Sequence, residues 1–170
     1  MNLNALYNIS YGVYIVGSHD GEKLNAQTAN SVMQITSEPP TIAASINKTN
    51  LTHEYMKSSK TFSVSILCQT TPLPFIGNFG FKSGRDINKF KNVKYKLGQT
   101  GSPVVTDNAV AYLEAEVLQD IDAGTHTIFI GKVVAAEVLT QEPVMTYEYY
   151  HQIKRGVTPK TAPTYINKEK

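Results

Sequence analysis

Of the 170 residues none is tryptophan and one is cysteine, and no apolar run approaches the roughly 18 residues needed to cross a bilayer. The N-terminus also lacks the charged start and apolar segment of an export signal, which makes the cytoplasm the expected compartment. A lone Cys68 cannot close an internal disulfide, and within FSVSILC it reads as a small core residue rather than a nucleophile. An excess of one charge is missing too. Sixteen basic against fourteen acidic side chains leave a formal +2, which argues against wrapping nucleic acid or lying on an anionic membrane but leaves room for a small charged ligand. His19, His53, His126 and His151 have no metal-ligand spacing, and there is no Walker loop, GxGxxG fingerprint or nucleophile elbow.

Short strands and turns fill the rest. YGVYIVGS, an Asp20-Gly21 turn and LNAQTANSVMQI read as a hairpin. Pro39 and Pro40 then break the chain before TIAASI. FSVSIL, VKYKL, AYLEAEVL and THTIFIGKVVAAEVL follow, with Phe62, Val64 and Ile66 alternating against Ser63 and Ser65 at the period of a half-buried strand. NKTNLTHEYMKSSK predicts one short helix with Thr49 or Asn50 as N-cap, and TPLPFIGNF holds a further turn or two. Short helical crossovers among at least six strands predict a mainly β protein, a closed or nearly closed antiparallel barrel. Residues 1–156 are expected to form the domain. Residues 157–170, with few large apolar side chains, are expected to form an extended tail that lies on a neighbour or moves freely.

Four polar segments, NAQTANSV, SINKTNLT, FGFKSGRD and DAGTHT, can converge at the strand ends. In FGFKSGRD, Gly80 and Gly84 can take positive φ and turn backbone N–H groups inward, while Lys82, Ser83 and Arg85 offer a point charge, a hydroxyl and a fork for phosphate oxygens. The plainer alternative pairs Arg85 with Asp86. The helix opening near Asn50, with Asn47, Lys48 and Thr52, either presents free N–H groups to the same anion or is ordinarily capped. NAQTANSV suits a flat heterocycle or is simply a tight connection, and His126 faces a cleft or is structural.

The ordered set NAQTANSVMQITSEPP, ASINKTNLTHEYMKSSKTFSVSIL, FGFKSGRDINKF, GSPVV, GTHTIFIGKVVAAEV and PVMTYEYYH, spanning about residues 3 to 151, resembles the flavin-reductase-like family. The resemblance implies a six-stranded Greek-key split β-barrel, bound FMN and NAD(P)H as co-substrate. It also implies a homodimer, for which the Tyr147, Tyr149 and Tyr150 cluster would supply an apolar face unless these tyrosines cover the barrel of their own subunit. It implies flavin contacts from Gln27, Thr28, Ala29, Asn30 and Ser31 at the ring. Ser45, Ile46, Asn47, Lys48 and Thr52 would reach the ring edge, ribityl chain or phosphate, and Phe79, Lys82, Ser83, Gly84, Arg85 and Asp86 would lie towards the phosphate. His126 would sit near the nicotinamide, although Thr125 stands where the family often has an acid. The tail GVTPKTAPTY resembles the joint to a rubredoxin domain, yet a chain with one cysteine cannot hold a rubredoxin iron, which takes four thiolates. The resemblance thus implies an oxidoreductase that passes electrons to a separate rubredoxin, another acceptor or free flavin, or else a flavoredoxin-like carrier reduced by a protein partner.

Overall fold

The Asp20-Gly21 turn forms as the sequence predicts: Gly21 takes φ +58°, and strands β1 (Tyr14–Asp20) and β2 (Lys23–Ala29) pair antiparallel across it. The computed structural model describes residues 1–165. LNAQTANSVMQI does not continue as one strand. It breaks at Asn30 and Ser31, and β3 (Val32–Ser37) pairs instead with β4 (Pro40–Asn47). Pro40 opens β4 at a position where a missing ladder donor is tolerated.

Helix α1 (Leu51–Ser59) leads to β5 (Thr61–Leu67), and α2 (Leu73–Gly80) to the short β6 (Tyr95–Leu97) and β7 (Pro103–Val105). The long hairpin of β8 (Ala109–Ala123) and β9 (His126–Val138) precedes α3 (Tyr147–Gln152). The aromatic run YEYYHQ is therefore helical, with the Thr146 side chain accepting from the Tyr149 N–H.

The main sheet has seven strands in the order β2-β1-β5-β8-β9-β4-β3, one more than expected because of the break at Asn30. Its edge strands β2 and β3 are consecutive in sequence, joined only by Asn30 and Ser31. Three Cα steps reach at most about 11 Å, so the sheet must curl until its edges face each other across an unpaired seam. This is a split barrel.

The interior holds Val16, Ile42, Ala44, Ile46, Phe62, Val64, Ala115 and Phe129, with Met56 of α1 packed among them. A second cluster, including Ile15, Ala26, Leu67, Ile76, Phe79, Phe90, Val105 and Tyr150, joins α2, α3 and β7 to the outer face. Neighbouring Ile15 and Val16 thus bury opposite faces of β1. The predicted half-buried β5 is covered on both faces: Ser63 is 1% exposed and donates from Oγ to the Pro103 carbonyl at 2.6 Å. Gly17 permits that approach, since a Cβ there would lie 2.4 Å from the same carbonyl oxygen. Cys68 is buried, as its setting suggests.

Candidate functional site

The seam leaves a cavity of about 320 Å³ between β2, the start of α1, α2, the loop after it and α3. Ile76, Phe79, Tyr147 and Tyr150 form apolar walls, while Thr28, Asn30, Ser45 and Asn47 supply hydroxyls and amides at the strand ends. Two lysines, Lys82 and Lys89, line it, and no carboxylate does among the described residues. The cavity therefore favours an anionic ligand with a flat apolar body.

Three buried groups sharpen that preference. Asn25 is 2% exposed and donates from Nδ2 to Thr52 Oγ1 at 2.8 Å, leaving the Thr52 hydroxyl hydrogen for another acceptor. Gln27 Oε1 is buried at the cavity wall with no hydrogen-bond partner, an acceptor waiting for a donor such as a heterocyclic N–H. Lys89 is 5% exposed, and its ammonium donates to the carbonyls of Ala26 at 3.0 Å and Phe79 at 3.1 Å, with a third hydrogen unused. Burial without a carboxylate partner pulls Lys89 down from 10.5 to about 8. An entering phosphate would supply the missing counter-charge.

The four polar segments do converge. Asn47 pairs across the ladder with His126, and the Lys48 N–H reaches the Thr125 carbonyl at 3.0 Å, so the β4 end, the β8–β9 turn and the α1 start share one corner. Gly124 takes φ +75° in that turn. Asn50 caps α1 by backbone conformation alone, its side chain making no cap hydrogen bond, and the His53 N–H turns back to the Asn50 carbonyl at 3.0 Å, so it is the Leu51 and Thr52 N–H groups that retain capacity for an anion. Asn47 Oδ1 instead accepts from the Thr49 N–H at 3.0 Å.

Of the residues singled out in the sequence, Gln27, Thr28, Ala29, Asn30, Ser45, Asn47, Thr52, Phe79, Lys82, Ser83 and Gly84 line this cavity. The others lie elsewhere. Ile46 is fully buried among the barrel interior, and Ser31 donates from Oγ to Asn30 Oδ1 at 3.0 Å. Lys48 pairs with Asp122 at 2.7 Å. Arg85 and Asp86 face a neighbouring, more open depression, and Arg85 is paired neither with a cavity group nor with Asp86 but with Glu54 of α1. Gly80 and Gly84 are not at positive φ: Gly80 ends α2, and Gly84 is needed for space, since a Cβ there would lie 2.1 Å from Asn25 Oδ1.

Asn25 and Lys89 lie within segments that the sequence points to, but nothing there marks either as a buried cavity group. Lys89 follows the motif by three residues and carries no signal of burial. Of the tyrosine cluster, Tyr150 is 5% exposed in the chain's own core and Tyr147 stacks with it at 6.0 Å, while Tyr147 and Tyr149 stay partly exposed. The tail, through residue 165, turns back onto the cavity, where Val157, Pro159, Thr161, Ala162 and Pro163 complete the wall. Residues 166–170 of the expected tail lie outside the described residues.

His126 opens β9 beside this wall. Its Nε2 lies 3.2 Å from the Thr161 carbonyl and its Nδ1 2.9 Å from Thr125 Oγ1. A carbonyl can only accept, so Nε2 carries the hydrogen and the Thr125 hydroxyl donates to Nδ1. The Thr161 carbonyl thereby selects the tautomer, and the Thr125 hydroxyl, able to donate or accept, follows it.

Residues 6–158 match the model of the flavin reductase like domain. The chain is 54% identical over 171 residues to the high molecular weight rubredoxin of Moorella thermoacetica, covering 100% of this chain and 75% of that protein. It is 49% identical to the ferric-chelate reductase (NAD(P)H) of Archaeoglobus fulgidus, with 98% of each chain covered. Among solved structures, the NADH:FAD oxidoreductase of Streptomyces globisporus superposes with a TM-score of 0.76 at 26% identity, covering 84% of this chain and 83% of the other. The FMN-binding protein of Thermus thermophilus superposes with a TM-score of 0.75 at 26% identity, covering 83% of each chain. The seam, the cavity lined by no carboxylate among the described residues and these likenesses agree, and the chain belongs to the flavin reductase-like domain family.

Proposed function

We propose that this chain is an NAD(P)H-dependent flavin reductase that holds FMN in the seam cavity and hands electrons to a separate acceptor. The observation that carries the reading is the buried Lys89 ammonium, held by two carbonyls and lacking a counter-anion, in a cavity lined by no carboxylate among the described residues. Lys89, Lys82, Ser83 and the α1 N-terminus would hold the phosphate, and Gly84 lets the loop approach closely enough to do so. Gln27 Oε1 would accept from the ring, with Thr28, Ala29 and Asn30 along its edge.

Bound flavin would supply the hydride-accepting centre. The protein's part is to exclude water with Ile76, Phe79 and Tyr150 and to present the His126 Nε2–H to the donor, with the Thr125 hydroxyl donating to Nδ1 in that tautomer. The likeness to a high molecular weight rubredoxin and a ferric-chelate reductase supports rubredoxin or chelated ferric iron as the acceptor.

Anaerobic stopped-flow mixing of the flavin-loaded protein with NADH and NADPH tests the reading: rapid loss of the flavin's visible absorbance is expected. No loss with either nucleotide, but reduction by a protein donor, would make the chain a carrier of the flavoredoxin kind.

A homodimer belongs to the same reading. Its support is the N-terminal 3-10 helix, Leu3–Asn8, which buries no residue and leaves Leu3, Leu6 and Tyr7 about half exposed. Light scattering should give twice the chain mass. No helix among the described residues is long and apolar enough to cross a membrane.

A further inference from the structure

The tail segment 157–165 is held over the cavity by few contacts. Tyr147 Oη lies 2.6 Å from Thr158 Oγ1 and 3.1 Å from Thr164 Oγ1, and Asn30 Nδ2 donates to Thr164 Oγ1 at 2.9 Å. Tyr150 Oη donates to the Val157 carbonyl at 2.9 Å, and His126 Nε2 to the Thr161 carbonyl at 3.2 Å. The segment buries no large side chain: Val157 is 63% and Tyr165 38% exposed. Pro159 and Pro163 limit the backbone freedom lost on docking.

We infer that residues 157–164 form an autoinhibitory strap that competes with the nicotinamide donor for His126. The Thr161 carbonyl is the oxygen of a planar amide, the same acceptor that a nicotinamide carboxamide offers. The single Nε2–H of His126 cannot serve both. A strap held by a handful of hydrogen bonds at the surface, with small apolar contacts and no fully buried large side chain, is weak enough to be displaced by a ligand that makes the same bond and also buries a ring. While closed, it lowers apparent donor affinity by the fraction of molecules in which it is open. The strap rests on the reading of NAD(P)H as donor.

The test keeps the full chain. Thr158→Val with Thr164→Val removes both hydroxyl pins while preserving shape, and neither side chain lines the cavity. The double variant should lower KM for NAD(P)H at least about threefold, with kcat and flavin affinity within about twofold. Independently of turnover, trypsin cleavage after exposed Lys160, identified by mass, should quicken in the variant and, in the native chain, on adding NAD+. Flavin reduced by NADH with unchanged KM, or cleavage indifferent to NAD+, would overturn the strap and leave the donor reading intact. A variant that instead loses flavin with KM unchanged would make the segment a flavin clamp and overturn the strap likewise. If NADH reduces neither protein, the donor reading falls and the strap with it.

Discussion

The two ends of the seam cavity are built in opposite ways. At one end, Lys89 is sunk between β2 and α2, Asn25 and Thr52 bond to each other out of solvent, and Gly84 sits where no larger residue fits. At the other, His126 and Tyr147 meet a tail whose large side chains are exposed. The first end stores an unfavourable charge inside the core, while the second closes with a segment that can leave. A binding site for a resident group needs the first arrangement, and a site for a co-substrate that enters and departs at each turnover needs the second.

If the lysine end is preloaded for an anion, its cost must appear in the ligand-free protein. The folded Lys89 titrates near 8, below its ordinary 10.5, so below pH 8 it is charged in both the folded and unfolded chain and the full burial penalty applies. Between about pH 8 and 10.5 the unfolded chain binds the extra proton. Stability should therefore rise with pH across that window, by about 3 kcal/mol in all at roughly 1.4 kcal/mol per unit. Denaturant unfolding of the flavin-free protein should show the rise, and the FMN complex should lack it because phosphate restores the charged lysine. A flat profile without flavin would mean that water or the loop solvates Lys89 and that the two ends do not differ in this respect.

Lys89→Met asks the same of binding. It keeps the length of the side chain but removes the charge, and it should weaken FMN by about 1.5–3 kcal/mol, the usual size of a charge-assisted hydrogen bond, while riboflavin affinity changes less than about threefold. Equal losses for both flavins, measured by fluorescence titration, would move the phosphate away from Lys89. At the tail end, His126→Ala should leave FMN content intact and slow reduction by NAD(P)H about tenfold, or roughly 1.4 kcal/mol. Thr125→Val, which removes only the hydroxyl on Nδ1, should give a smaller loss in the same direction. Unchanged rates in both would return the histidine to packing.

The fold was largely legible because strand periodicity and turn residues are local signals: Asp20-Gly21 gave the hairpin, and the helix after Asn47 begins at Leu51 with the Asn50 cap. The break at Asn30 was not, since nothing in NAQTANSV says that two successive strands go to opposite sheet edges; only closure of the barrel decides it. FGFKSG showed its place at the cavity through glycine and lysine. Burial of Lys89 depends on α2 folding over β2, a long-range fact that a lysine in NKFKN cannot reveal. The burial of Tyr150 was not legible for a related reason, because an aromatic run looks the same whether its own chain or a partner covers it, and here α3 turns Tyr150 inward.

Arg85 separates the two kinds of site most finely, because by residue type it is the better phosphate ligand and by position the poorer. Its guanidinium is paired with Glu54, with 42% of the Arg85 side chain and 54% of the Glu54 side chain exposed, and it borders the open depression rather than the cavity. An exposed pair of this kind contributes about 0–1 kcal/mol and is screened by salt. Arg85→Ala should accordingly change both folding stability and FMN affinity by less than about 1 kcal/mol, and raising salt should erase part of even that. Lys89→Met in the same titration sets the scale. Should Arg85→Ala weaken FMN as much as Lys89→Met, Glu54 must release the arginine when phosphate arrives, and the anion site extends from the buried end of the cavity to its solvent rim.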